Sequence, residues 1–372
     1  MTGPALGRAT WSGSPFEILT PLAEVAGRGE VVAEQNGESE VIYESAAHPG
    51  WLVKLYLPGL ETGPPEVLDR LIALPSLMRA ADLEVVDRSI CWPVSRVVDA
   101  DRTVGVILAR APEVFTVPMR MIDGAHAARA LDVDQLVQTD PEFYTRRDWS
   151  PPTMAERLAV ARGLAAVGAL LERHDVVYGD WSYANAFWAR GSGRVFVLDM
   201  DSCGLTDRPW VESKNWDDPH APPGSRLTVV TDRYKLAVLV LRVLTGLRGP
   251  DLRAVHAALP AKVRQDPLGM ALLTAVTCGD PAERPPLPEL HSLLMAIRDP
   301  RPRPVRNQAV SRPVAAPPAK PAPVPERKPS TTPSWPGPPP WAGADRLLPL
   351  LIGICVLILL VAAVAGMLAS MS

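Results

Sequence analysis

The chain is poor in cysteine, and none of its cysteines are paired in sequence. Cys91, Cys203, Cys278 and Cys355 are scattered over 372 residues with no CxxC pair and no His-rich neighbourhood. That argues against a zinc site and a disulfide framework, and it points to a reducing compartment. An excess of base is missing too: 38 Lys and Arg stand against 41 Asp and Glu, a net charge of −3. Nucleic acid is therefore not an expected partner. The opening residues MTGPALGRATWSGSPFEIL contain no long apolar run behind a basic start, so no secretory leader is expected.

What is present is a stretch from His174 to Gly204 dense in groups that suit one chemistry. It holds Asp180, then Asn185 five residues on, then the apolar run Val195 to Leu198 that delivers Asp199 and Asp201. Phosphoryl transfer needs a carboxylate to take the proton of the attacking hydroxyl and oxygen ligands to hold Mg²⁺ against the phosphates. In this order and spacing, the stretch resembles the catalytic loop and metal-binding segment of the protein kinase-like superfamily. The resemblance implies Asp180 as the catalytic base, with Asn185 and Asp199 as the metal ligands. Two departures stand out: Tyr178-Gly179-Asp180 replaces His-Arg-Asp, and Asp199-Met200-Asp201 replaces Asp-Phe-Gly. Without the Arg, the usual partner of an activation-loop phosphate is missing, and no such switch is expected. A Gly before the catalytic Asp also occurs in phosphotransferases of the aminoglycoside and choline kinase type.

Upstream, residues 1–24 read as a disordered leader. From Glu30 three β-rich runs, EVVAEQ, EVIYES and WLVKLY, are parted by Asn36-Gly37 and His48-Pro49-Gly50 and predict an antiparallel meander. The meander is similar to the start of a kinase small lobe, which implies that Lys54 pairs the phosphates of ATP. Of the family's G-x-G-x-x-G-x-V, Gly37 and Val41 fall in place, and they join Lys54 as nucleotide-binding candidates. Helical spacing from Pro64 to Leu74 predicts a helix, and the resemblance implies that an acid on it orients the lysine. Glu66 is preferred to Asp69, because an Asp reaches less far. Two further strands are read at Ile90 to Val94 and Val104 to Ala109; the resemblance implies a hinge near Ala109 to Glu113, and residues 114–150 are expected to pack as a small helical insertion.

After the amphipathic helix that ends at Arg173 comes the catalytic stretch, and His174 is left out of the site. A second long helix opens near Thr231, its N-cap candidate, and closes at Gly246. The resemblance implies that its Asp232 braces the backbone of the catalytic loop. Ala221-Pro222-Pro223-Gly224 stands where the family has Ala-Pro-Glu, but without the Glu. Arg284, within Asp280-Pro281-Ala282-Glu283-Arg284-Pro285, therefore needs another partner or faces solvent.

Residues 299–346 hold 15 prolines between Pro300 and Pro340 and carry eight Lys or Arg against three Asp or Glu. This net of +5 leaves −8 on residues 1–298, so a disordered basic tether follows an acidic folded part. Residues 347–369 contain no charge and exceed the roughly 20 residues that a bilayer demands, which predicts a transmembrane helix. Basic residues lie only on its N-terminal side, placing the folded part in the cytoplasm. Any signal is then expected from the cytoplasm or from a partner sensor protein.

The expectation is an α+β, two-lobed protein kinase-like fold over residues 25–298, with a small antiparallel β lobe and a large helical lobe. The expected activity is transfer of the γ-phosphate of ATP, with Mg²⁺, to a protein Ser or Thr hydroxyl beneath the membrane. Two alternatives stay open: a pseudokinase scaffold and a small-molecule phosphotransferase.

Overall fold

The computed structural model describes residues 8–298 apart from 61–62, 122, 141 and 211–214. The architecture is α+β. In chain order it begins with strand β1 (Leu19–Pro21), the single-turn helix α1 (Leu22–Val25) and strands β2 (Arg28–Asn36), β3 (Ser39–Ser45) and β4 (Trp51–Tyr56). Helices α2 (Pro65–Ala73) and α3 (Ala80–Ser89) and strands β5 (Pro93–Asp99) and β6 (Arg102–Ala109) follow. These strands form a six-stranded sheet in the order β1-β5-β6-β4-β3-β2. All neighbours are antiparallel except β1 and β5.

Side chains alternate between the two faces of a strand, and in this sheet the alternation sets up the site. Trp51, Val53 and Leu55 of β4 join Val41 and Tyr43 of β3 in an apolar cluster on one face. Leu52, Lys54 and Tyr56 are thereby sent to the other face.

The leader behaves differently from expectation over its described part, residues 8–24. There β1 runs beside β5, the Trp11 indole donates to the Ile72 carbonyl at 3.0 Å, and Phe16 meets His48 and Trp51 edge-on. Two aromatic side chains give this stretch the apolar area to dock, which its Gly, Pro and Ser content obscured. Residues 114–150 also depart from a helical insertion. They contain the hairpin β7 (Thr116–Arg120) and β8 (His126–Ala130), turning at Asp123-Gly124, and then the single turns α4 (Val133–Leu136) and α5 (Glu142–Thr145). Phe115, Leu131, Val133 and Leu136 are fully buried and fix the segment to the core.

Helix α6 (Met154–Arg173) starts from a capping box in which Thr153 and Glu156 each bond the other's backbone N–H. Helix α7 (Val229–Thr245) is capped by Thr228, with Thr231 as the reciprocal member of the box, and it ends at Gly246 in the left-handed region. Helices α8 (Leu252–Ala257), α9 (Ala261–Arg264), α10 (Pro267–Thr277) and α11 (Leu287–Ala296) complete the part, with α6 packed against α7 and α11. Their shared core runs through Leu164, Leu170, Leu236, Leu239 and Leu294.

The acid missing after Ala221-Pro222-Pro223 is supplied from upstream. Asp218 takes Arg284 in a two-pronged pair at 2.5 and 2.7 Å, with the two side chains 3% and 1% exposed. Arg284 also lies over the Tyr234 ring and donates to the Val230 carbonyl, which ties the segment ahead of α7 to the turn after α10.

The Pro-rich tether and the apolar run 347–369 lie outside the described residues. Among the described residues no helix is long and apolar enough to cross a membrane.

Removing one partner of a buried ion pair leaves the other charge uncompensated. Asp218→Ala is therefore expected to lower the unfolding free energy by about 3–5 kcal/mol, measured as a shift in the urea midpoint; a loss below about 1 kcal/mol would contradict a structural role for the pair.

Candidate active site

Local folding after α6 gathers the residues that the sequence singles out. The chain passes from Arg173 into strand β9 (Val176–Val177), then a loop over residues 178–185, then the hairpin of β10 (Ala186–Trp188) and β11 (Val195–Val197). Beyond β11, Leu198 donates its N–H to the Asn185 carbonyl at 3.0 Å. After the single 3-10 turn Met200–Ser202, strand β12 (Gly204–Leu205) pairs back onto β9. Both ends of the loop are thus tied to the segment that bears Asp199 and Asp201. The Asn185 side-chain amide donates to the Asp180 carboxylate at 2.7 Å and to its carbonyl at 2.9 Å, which fixes Asp180 and Asn185 as a unit.

The loop is gripped from beneath. Asp232 of α7, buried, accepts the Tyr178 and Gly179 backbone N–H groups at 2.7 Å each. Lys235 donates to the Gly179 carbonyl at 2.8 Å, and Arg208, from strand β13 (Asp207–Arg208), donates to the Tyr178 carbonyl. Gly179 has φ +70°, and a Cβ there would lie 2.7 Å from Arg208 Cδ. Gly179 thus makes room for an Arg arriving from the following segment. Burial, working against the two N–H bonds, pushes the Asp232 carboxyl up to about 7.

Lys54 reaches this assembly from the sheet. Its ammonium, 5% exposed, bonds Asp199 Oδ1 at 3.1 Å and Asp201 Oδ1 at 3.0 Å. Burial alone would lower its hold on the proton, but the Asp201 and Asp199 charges outweigh that and keep it above the ordinary lysine value. The Tyr56 hydroxyl donates to Asp201 Oδ2 at 2.9 Å, and burial together with the Asp201 charge pushes that phenol well up. Asp201 is 2% exposed and Asp199 48%. One carboxylate is a buried counter-ion and the other opens to whatever enters.

Of the residues expected to act, the structure brings Lys54 to Asp199 and Asp180 to Asn185. It does not bring in Glu66, which is exposed on α2, while Asp69 is held by Arg96 at 2.7 and 2.9 Å. Val41 is 3% exposed and pairs across the sheet with Leu55, so it faces the opposite apolar cluster; Ile42 is the residue opposite Lys54. Gly37 serves a two-residue hairpin turn at φ +59°. Residues that the sequence reading left out of the site are Asp201, Tyr56, Lys235 and Arg208. Tyr56 had a signal, two positions after Lys54 and so on its face; Arg208 had none.

Among the described residues no group of three or more His, Cys, Asp or Glu gathers around a metal position. The half-exposed Asp199 carboxylate and the Asn185 amide oxygen are a sparse, hard donor pair. Such a pair fits Mg²⁺, which draws most of its shell from water and phosphate.

No protein-family model matches the chain, and no match is found among curated proteins.

The Asp232 carboxyl titrates higher in the folded chain than its unfolded value near 4. Its contribution to stability is then fully present below about pH 4 and is lost as pH rises through 7. Between pH 5 and pH 8 the wild type is expected to lose urea resistance relative to Asp232→Asn, and a gain over that range would contradict the assignment.

Proposed function

We propose that residues 25–298 form a kinase-like phosphotransferase that moves the γ-phosphate of ATP to a Ser or Thr hydroxyl of a protein. The observation that carries the reading is the buried Lys54 reaching from the sheet to Asp199, at the end of the strand that follows the Asp180 and Asn185 loop. A positive charge held in the sheet, a carboxylate fixed by an amide and a half-exposed carboxylate beside them are the groups that phosphoryl transfer requires.

In this reading Asp180 takes the proton of the attacking hydroxyl. Its position is set by Asn185 and by the grip of Asp232, Lys235 and Arg208 on the loop's backbone. Lys54 faces the nucleotide phosphates. Asp199 and Asn185 would hold Mg²⁺, which when bound neutralises phosphate charge. Leu52, Ala111, Phe187 and Leu198 pack against one apolar cluster between the sheet and the β10–β11 hairpin, the surface against which the adenine lies in this reading. The Asp232 grip and the Asp218–Arg284 pair favour a protein acceptor over a small molecule, since the features they complete belong to the protein kinase resemblance. The tether 299–346 and the uncharged run 347–369 complete the reading as spacer and single membrane anchor, with the folded part on the cytoplasmic side.

One observation favours a second reading, a pseudokinase scaffold with weak or no catalysis. The hairpin beside Lys54 turns in two residues and carries Glu38 and Glu40, with Val41 facing away.

The test is transfer from γ-labelled ATP by the full chain with Mg²⁺ and a generic protein acceptor. Asp180→Asn is expected to lower the rate by roughly 10²–10⁴-fold, and Asp199→Ala is expected to abolish it with the fold intact by circular dichroism. Wild-type transfer unaffected by either change would overturn the assignment. Label on amino sugars or amino alcohols alone would move the acceptor class, and no label despite ATP-induced thermal stabilisation would leave the scaffold.

A further inference from the structure

We infer that Asp201 is the positioning residue for Lys54, in the place of an acid from helix α2. The inference rests on the phosphotransferase reading above.

Three observations converge on it. First, Asp201 is buried and committed at both oxygens, Oδ1 to the Lys54 ammonium at 3.0 Å and Oδ2 to the Tyr56 hydroxyl at 2.9 Å. A carboxylate anchored by a phenol through one oxygen holds a buried ammonium in one orientation through the other, and charge-assisted bonds of this kind are about twice as strong as neutral ones. Second, α2 offers no competitor. Glu66 is exposed, Asp69 is engaged with Arg96, and Val67 and Leu68 of α2 line a cavity of about 490 Å³ together with Tyr56 and Asp201. Neither acid of that helix bonds Lys54, whose ammonium goes to Asp199 and Asp201. Third, the turn that carries Asp201 is rigid. Met200 is fully buried, Cys203 N–H returns to the Met200 carbonyl at 3.1 Å, and the Ser202 hydroxyl donates to the Asp199 carbonyl at 3.2 Å.

The division of labour between the two carboxylates follows. Asp199, half exposed, can exchange Lys54 for a metal ion without stripping the ammonium of its counter-charge, because Asp201 keeps it. The lysine's place is therefore set by the turn at Met200–Ser202, and a movement of α2 does not withdraw its partner. The spacing Asp-x-Asp is how this substitution is written in the sequence.

The experiment is calorimetric titration of the full chain with ADP, in EDTA and again with Mg²⁺, on the wild type, Asp201→Asn, Tyr56→Phe and Glu66→Gln. Asp201→Asn is expected to weaken ADP binding about tenfold in both conditions and Tyr56→Phe about threefold, with Glu66→Gln within twofold of wild type. Equal affinity in wild type and Asp201→Asn overturns the inference, as does weakening by Glu66→Gln instead. A loss confined to the Mg²⁺ titration also overturns it, making Asp201 a metal ligand. Should Asp201→Asn fail to fold, Tyr56→Phe decides alone, and unchanged affinity there is the contrary result. A wild type that binds no ADP in either condition brings down the phosphotransferase reading and this inference with it, whereas binding that ignores Asp201 brings down the inference only.

Discussion

A buried ammonium has to find its counter-charge, and that requirement organises the molecule around Lys54. Left unpaired in a low-dielectric interior, such a charge is too costly to keep. Alternation along β4 sends Lys54 to the face opposite the Trp51, Val53 and Leu55 cluster, and Asp201 and Asp199 meet it there. The sheet and the segment after β11 are thereby fixed to each other. The same logic recurs at Arg284 with Asp218 and in the Asp232 carboxylate beneath the loop. Exposed pairs such as Arg88 with Glu84 add little by comparison.

These buried charges sit around the loop at residues 178–185 and leave two carboxylates poised differently. Asp180 is held by Asn185 on a backbone that Asp232, Lys235 and Arg208 fix. Asp199 is open to solvent over about half its side chain, and its residue sits in the left-handed region at φ +51°. Asp tolerates that conformation better than most residues, yet it stores some strain, and such strain gathers at functional sites. A carboxylate fixed on a braced loop and a half-exposed one beyond it, with a lysine between the sheet and the loop, are the features on which the proposed phosphoryl transfer rests.

Much of this was legible in the sequence because its signals are local. The strands β2, β3 and β4 follow from period-two alternation between turn residues, and the chain from Asp180 through Asn185 to Asp199 follows from a loop, a short hairpin and a strand end. What stayed hidden depends on partners far apart in the chain. The family's pattern counted from Gly37 picks out Val41, but cross-strand pairing with Leu55 turns that side chain away. Helical spacing marks α2 but not which of its acids turns inward: Glu66 stays exposed, and the acids that meet Lys54 are Asp201 and Asp199. Arg208 answers the missing Arg before Asp180, and Asp218 the missing acid after Ala221, from positions that no motif marks. The Gly, Pro and Ser of the leader hide its docking, which Trp11 and Phe16 carry together with the pairing of β1 on β5.

The most direct measurement of the central claim is labelling of the full chain with an acyl-phosphate derivative of ATP, which acylates an amine held against the nucleotide's phosphates, followed by mass spectrometry of the modified peptides. Acylation is expected at Lys54, suppressed by excess ATP. Acylation spread over exposed lysines, with Lys54 unmodified or indifferent to ATP, would contradict it.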